Sequence, residues 1–146
     1  IKVTVFDLPN VSPITQSYID KDGFTEKIKT FKGDYTQDEL PKGFDLIFLS
    51  AIIHANSYSE NKSLIMKCSR SLLPGGQLVI QDYIMNEDRT EPGRGAVFAM
   101  NMLVGTQGGD TYTENEIKSW MKDAGLSDFK RNNMPFGADQ IIGFKK

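Results

Sequence analysis

The sequence predicts an α/β domain built on a mainly parallel sheet, and three observations carry that prediction. Short apolar runs rich in Val, Ile and Phe alternate along the chain with stretches of helical period. One run, "GFDLIFLSAII" at 43–53, is almost continuously apolar, as a parallel strand buried on both faces would be. Polar residues recur just past the ends of such runs, at Asp7, Asp34, His54 and Asp82. In an open parallel sheet those ends are where ligands bind.

The elements follow in order. "IKVTVF" alternates with Val3 and Val5 on one face and stops at "DLPN", a strand with Asp7 at its carboxyl end. "VSPITQSYIDKDGF" reads as a short helix with Ile14, Tyr18 and Ile19 on a shared face, ended by Asp22-Gly23. "KIKTFKGDYT" is a second strand with Asp34 beyond it, and the apolar run at 43–53 is a third. In "SYSENKSLIMKCSRSLLPGG" Ser57 and Glu60 have capping-box spacing, Leu64, Ile65, Cys68 and Leu72 form one stripe, and Pro74-Gly75-Gly76 stops the helix. "QLVIQDYIM" is the next buried strand, "NEDRTEPGRG" a polar loop, and "AVFAMNMLVGTQGG" a helix ending at its glycines. "TYTENEIKSWMKDAGL" carries a second capping box, Thr113 with Glu116, an inward face of Ile117, Trp120, Met121 and Ala124, and Gly125 at its C-terminal cap. "SDFKRNN" and "QIIGFKK" close the chain as two strands. The predicted order is β α β β α β α α β β, with no internal repeat, linker or low-complexity segment.

Composition narrows the function. The 146 residues suit one domain, residues 1–146, with one core. A formal charge of -2 with both signs interspersed leaves no electrostatic footprint for nucleic acid or anionic lipid. No apolar run approaches the ~20 residues of a membrane span. The single Cys68 excludes an internal disulfide and fits a reducing, cytoplasmic compartment; one His and one Cys weigh against a zinc site, so no metal is expected. The chain opens without Met, directly in a β-branched run, which reads as part of a longer protein.

The strand-end residues suggest chemistry. Each Asp alone reads as a turn former or helix cap. Together, a carboxylate at Asp7 can accept from both hydroxyls of a ribose, and one at Asp34 from an exocyclic amine, which suggests a nucleoside-type ligand. His54 and Asp82 end consecutive long strands, which would stand side by side at ~5 Å spacing. A carboxylate there can hold one ring nitrogen so that the other accepts a proton. The alternative is that His54 only caps its loop while Asp82 pairs with Arg89. These residues alone leave the two readings even.

The sequence also resembles the C-terminal catalytic part of the small-molecule O-methyltransferases that use S-adenosyl-L-methionine, a family with plant phenolic, acetylserotonin and bacterial polyketide members. "VFDLPNV" resembles the segment whose Asp binds the cofactor ribose, and "GDYT" the Gly-Asp-aromatic segment that reads the adenine. "IIHANSYSENKSLIMKCSRSLLPGGQLVIQD" resembles the catalytic His, its helix, the Pro-Gly-Gly turn and the fifth strand. "NMLVGTQGGDTYTENEIKSWMKDAGL" resembles the substrate-pocket helix, its double Gly and the penultimate helix.

The resemblance implies a partial Rossmann-like methyltransferase sheet of order 3-2-1-4-5-7-6, mainly parallel with the last strand antiparallel. It implies methyl transfer to a small hydroxylated acceptor, with His54 as general base and Asp82 orienting it. Asp7, Leu8, Asp34, Tyr35 and Ser50 would bind cofactor, and Met85, Met100 and Met102 would line an adaptable substrate pocket, although core packing competes for at least one Met. The full-length protein would be a homodimer. The sequence departs from the family at Ala55-Asn56, where Asp-Trp is common, at Ser50, where plant members have Lys, and at Thr111, which replaces a second acid beside Asp110. Nothing in it resembles the family's first strand and Gly-rich loop, so weak cofactor binding by this chain alone is expected, with a gap between "KVTVF" and "DLIFLS". A truncated, inactive methyltransferase-fold module acting in protein association is the alternative; a nucleotide-binding oxidoreductase is disfavoured by the lack of G-x-G-x-x-G.

Overall fold

The computed structural model describes residues 1–146, with Phe136 described by its backbone alone. The chain divides into two units, Ile1–Leu40 and Pro41–Lys146.

In the first unit, β1 (Val3–Asp7) and β2 (Ile28–Lys32) pair in parallel with Val5 opposite Thr30, and α1 (Ser12–Lys21) connects them. The face of α1 that is buried differs from the expected one. Ser12 and Ile19 turn inward, while Ile14 and Tyr18 stay 58% and 62% exposed. Ser12 and Ile19 lie seven residues apart, two helical turns on one face, and Ile14 and Tyr18 project from other sides of so short a helix.

The second unit is built on a four-stranded sheet of order β3-β4-β8-β7, from β3 (Phe44–Ser50), β4 (Leu72–Asp82), β7 (Leu126–Asn132) and β8 (Asp139–Lys145). β3 runs parallel to β4, while β8 is antiparallel to both β4 and β7. The orders β1-β2 and β3-β4-β8-β7 each reproduce a stretch of the expected strand order within their own unit. The expectation that β3 is buried on both faces fails: Leu46 and Phe48 are 47% and 50% exposed. In β4, by contrast, Leu78, Val79 and Ile80 are buried in succession, so both of its faces are covered, whereas Leu46 and Phe48, two residues apart, share one open face of β3.

Two helices cover this sheet. α2 (Tyr58–Ser71) and α4 (Glu114–Asp123) pack on each other and on the strands. Both begin with the capping boxes read from the sequence, Ser57 with Glu60 and Thr113 with Glu116. Leu64, Ile65 and Cys68 of α2 and Ile117, Trp120 and Met121 of α4 are all buried in the core. Ser69 Oγ donates to Ala124 O at 2.7 Å, and Lys145 Nζ donates to the carbonyls of Ser69 and Leu72 at 2.7 and 2.8 Å. A cation on the last carbonyls of a helix also suits its dipole. Between α2 and the pairing stretch of β4, Gly75 takes φ 79°. A Cβ on Gly76 would stand 2.9 Å from Leu73 O and 3.1 Å from Asp45 O. The turn therefore needs both glycines.

The run "QLVIQDYIM" is not one strand. It breaks at Tyr83, and β5 (Ile84–Met85) pairs instead with β6 (Tyr112–Thr113). α3 (Gly93–Gly105) follows β5 and leaves Val97, Met100, Leu103 and Val104 between 66% and 87% exposed. No helix among the described residues is long and apolar enough to cross a membrane.

Cys68 is fully buried, and burial pushes its thiol up to about 12. A thiol-alkylating reagent is therefore expected to spare it in the folded chain and to modify it stoichiometrically in denaturant, as read by mass spectrometry.

Candidate active site

The end of β3 sets the first coordinate of the site. Ser50 lies opposite Gln81 of β4, and Ala51 N–H donates to Gln81 O at 3.0 Å. Ala51 then takes φ 56°, a left-handed conformation that turns the chain sharply off the sheet. A single 3-10 turn, Ile53–Ala55, follows, anchored by the buried Ile53 side chain. His54 projects from this turn.

Asp82 sits at the end of the neighbouring strand, 4% exposed. Both its carboxylate oxygens lie 2.9 Å from His54 Nδ1, and Oδ1 also accepts from Tyr83 N–H at 2.9 Å. An ionised carboxylate can only accept, so the ring proton belongs on Nδ1 and the lone pair on Nε2. Nε2 has no partner among the described residues. The edge-on ring of Phe98, from α3, stands 4.9 Å from the imidazole, and Tyr83 lies 5.2 Å from Phe98. The ring is thus steered by a carboxylate on one side and an aromatic on another.

Arg89 does not pair with Asp82. Its guanidinium bonds Asp110 at 3.0 Å, Thr111 O at 2.7 Å, and both oxygens of Glu116 at 2.8 and 2.9 Å. Asp110 is consequently turned to Arg89, and only its backbone N–H reaches His54, donating to the carbonyl at 3.1 Å. Thr111 is buried. The double glycine has a steric reason. A Cβ on Gly109 would collide with His54 O and stand 2.5 Å from Thr106 Oγ1, while one on Gly108 would stand 2.9 Å from Ser57 Cβ.

In the first unit Asp7 and Asp34 follow the carboxyl ends of a parallel pair, on one edge of it; Gly33 N–H donates to Asp7 O at 3.0 Å. Asp7 Oδ1 accepts from Leu8 N–H at 2.8 Å, and Oδ2 has no partner among the described residues. Asp34 Oδ1 accepts from Thr36 N–H and Oγ1 at 2.9 and 2.7 Å, the local turn that the plainer reading of this residue foresaw. Leu8 and Ser50 are exposed and Tyr35 is half-buried.

The three methionines do not form one wall. Met85 has no exposed surface, its sulfur seated against Gly95, while Met100 is 68% exposed and Met102 lies between. Met85 belongs to the core because β5 is covered by the start of α3. Several residues around His54 escaped the sequence reading: Phe98, Tyr83, Tyr112, Asn56 and Asn61. Only Asn61 left a signal, since it falls on the same helical face as Leu64, Ile65 and Cys68 and is as buried as they are.

Comparison with known proteins gives a consistent result. The family model for the O-methyltransferase domain matches residues 1–127. The 3-hydroxy-5-methyl-1-naphthoate 3-O-methyltransferase of Streptomyces sahachiroi is 37% identical over 127 residues, which is 87% of this chain and 36% of that protein. The crystal structure of human N-acetylserotonin methyltransferase in complex with SAM superposes with a TM-score of 0.87 at 28% identity, over 99% of this chain and 40% of that one. The O-methyltransferase family 2 protein of Planctomyces limnophilus DSM 3776 in complex with apigenin gives 0.91 at 26% identity, over 99% and 44%. The chain spans less than half the length of each of these relatives.

The close approach at Gly109 is open to test. Gly109→Ala is expected to destabilise the protein by about 1–3 kcal/mol in urea denaturation, whereas Gly105→Ala, with nothing within 4 Å of the added carbon, should change it by less than about 0.5 kcal/mol or stabilise it.

Proposed function

The chain belongs to the O-methyltransferase domain family, and on that premise we propose that it is the catalytic part of an enzyme that transfers a methyl group from S-adenosylmethionine to a hydroxyl of a small molecule. The observation that carries the reading is the His54–Asp82 contact, with Nδ1 2.9 Å from both carboxylate oxygens and Nε2 left without a partner among the described residues. His54 Nε2 takes the hydroxyl proton as the oxygen becomes a nucleophile. Asp82 keeps the proton on Nδ1 and stabilises the imidazolium that forms. Its own burial and its bond from Tyr83 N–H hold it in register. The acceptor is a phenolic hydroxyl, a reading supported by the naphthoate relative and by the neighbour holding apigenin.

The residues of the first unit suit the cofactor by their donor and acceptor chemistry. Asp7, with one carboxylate oxygen unengaged among the described residues, accepts from the ribose hydroxyls, with Leu8 beside it. Asp34 and Tyr35 take the adenine, and Ser50 lies at the end of β3 where plant relatives carry a Lys. When bound, S-adenosylmethionine supplies a methyl group made electrophilic by its sulfonium. The likeness to the human enzyme in complex with SAM supports this assignment. The proposal extends to a homodimer of the full-length protein, working in the cytoplasm.

The test is kinetic. In the full-length protein His54→Gln is expected to lower the turnover of a hydroxynaphthoate acceptor by ~10²–10⁴, with the Kd for S-adenosylmethionine within a few-fold by calorimetry. Asp82→Asn should fall between wild type and that variant, because it keeps a partner for the ring but admits the other tautomer. Full activity in His54→Gln would remove the imidazole from the chemistry. Asp7→Ala should show the converse, weakening S-adenosylmethionine by roughly 1.5–3 kcal/mol, the worth of a hydrogen bond to a charged group.

A further inference from the structure

The turn that carries His54 is poorly held by its own bonds. It is a single 3-10 turn, closed by Ala55 N–H to Ile52 O at 3.1 Å and Asn56 N–H to Ile53 O at 3.3 Å. Turns of this kind have weak hydrogen-bond geometry. Three carbonyls, two in the turn and one at its C-cap, are also fixed from outside. Ile53 O accepts from Asn61 Nδ2 at 2.8 Å, His54 O from Asp110 N–H at 3.1 Å, and Asn56 O from the Tyr112 hydroxyl at 2.6 Å.

Asn61 stands out among these partners. It occupies the apolar stripe of α2, one turn before Leu64 and Ile65, and has no exposed surface. A hydrophobic residue would fill that place without leaving a polar group to satisfy. A buried amide is unfavourable unless its donor and acceptor are both paired, and here they are. Nδ2 reaches Ile53 O, and Oδ1 accepts from Asn56 Nδ2 at 3.1 Å. The two residues so held, Ile53 and Asn56, bracket His54 in sequence.

We infer that Asn61 is a positioning residue whose buried amide bridges the two ends of the turn and fixes the backbone from which the imidazole reaches Asp82. Only a side chain with a donor and an acceptor on a short, rigid arm can make both bonds. Asp lacks the donor when ionised, and Leu lacks both. The neighbouring Tyr112 acts in the same direction, since burial, foremost, and the charges of Asp110 and Glu116 push its hydroxyl up to about 12, so that it remains a donor. A shift of the turn that lengthened the 2.9 Å contacts of Nδ1 past about 3.5 Å would break them. The inference rests on the reading of His54 as proton acceptor, but it concerns the ring's seating and is measurable apart from it.

The experiment uses the full-length protein labelled with ¹⁵N-histidine, the His54 signals being assigned by their loss in His54→Gln. Long-range ¹H–¹⁵N spectra report which ring nitrogen is protonated. Wild type should show protonated Nδ1 and unprotonated Nε2. In Asn61→Leu the His54 signals should move towards a mixture of tautomers, and kcat should fall about 10- to 100-fold, the scale of an ångström-sized misplacement. The KM for S-adenosylmethionine should stay within about two-fold, since ground-state cofactor binding is untouched. A folded Asn61→Leu protein with wild-type His54 signals and kcat would overturn the inference, whatever its melting temperature. Should that variant fail to fold, Asn61→Ser, small and polar but too short to span both partners, takes its place under the same criteria. If His54→Gln proves active, the base reading fails, while the spectra still decide whether Asn61 seats the ring.

Discussion

Everything around the imidazole depends on β3 and β4 running side by side in the same direction. With Ser50 opposite Gln81, the residue that leaves one strand and the residue that ends the other emerge at one edge. A slip of the register by a single residue would turn Asp82 to the opposite face of the sheet. The antiparallel β8 on the far side of β4 resists such a slip, since it pairs Gln77 through Asp82 without a break. The position of the carboxylate is therefore set by strand pairing on two edges, before any side chain contributes.

The site itself combines two kinds of order. The carboxylate and its helix-covered strand are part of the hydrophobic core, where dense packing leaves little freedom. The histidine stands on a turn that reaches the core through the Ile53 side chain alone and is held otherwise by polar bonds from α2, from the segment after the double glycine, and from β6. Arg89 joins the same set from the other side, tying Asp110, Thr111 and Glu116 together. This division explains why the double glycine matters. It lets one backbone approach another closely enough for Asp110 N–H to meet His54 O.

Much of this was legible in the sequence, and the parts that were not fail for physical reasons. Capping boxes are local, and both appear where the spacing put them; the helix ends were less legible, since α2 stops at Ser71 and α3 at Gly105, each before the glycines expected to stop it. The strand-end positions of His54 and Asp82 followed from counting apolar runs, and their contact needed only that the runs be neighbours. Burial was less legible because it depends on what covers a surface. The apolar β3 leaves Leu46 and Phe48 in view on one of its faces, and α1 is too short for its pattern to select a face. The break at Tyr83 was invisible because β5 finds its partner 28 residues away in Tyr112. The buried Asn56–Asn61 pair was hidden by type, since an asparagine on a helix is ordinarily taken for a solvent-facing residue, and nothing local shows that these two amides pair.

The aromatic cluster behind the site has a practical consequence. Trp120 is the sole tryptophan of the chain; it is 1% exposed, its Nε1 has no partner among the described residues, and it is flanked by Tyr58 and Tyr112 at 4.9 and 4.8 Å. An indole in such dry surroundings fluoresces at short wavelength and shifts to the red when water arrives. Because Tyr112 is also the donor to Asn56 O, emission from this one chromophore reports the integrity of the wall on which the histidine turn rests. It is silent about the first unit, which contains no tryptophan.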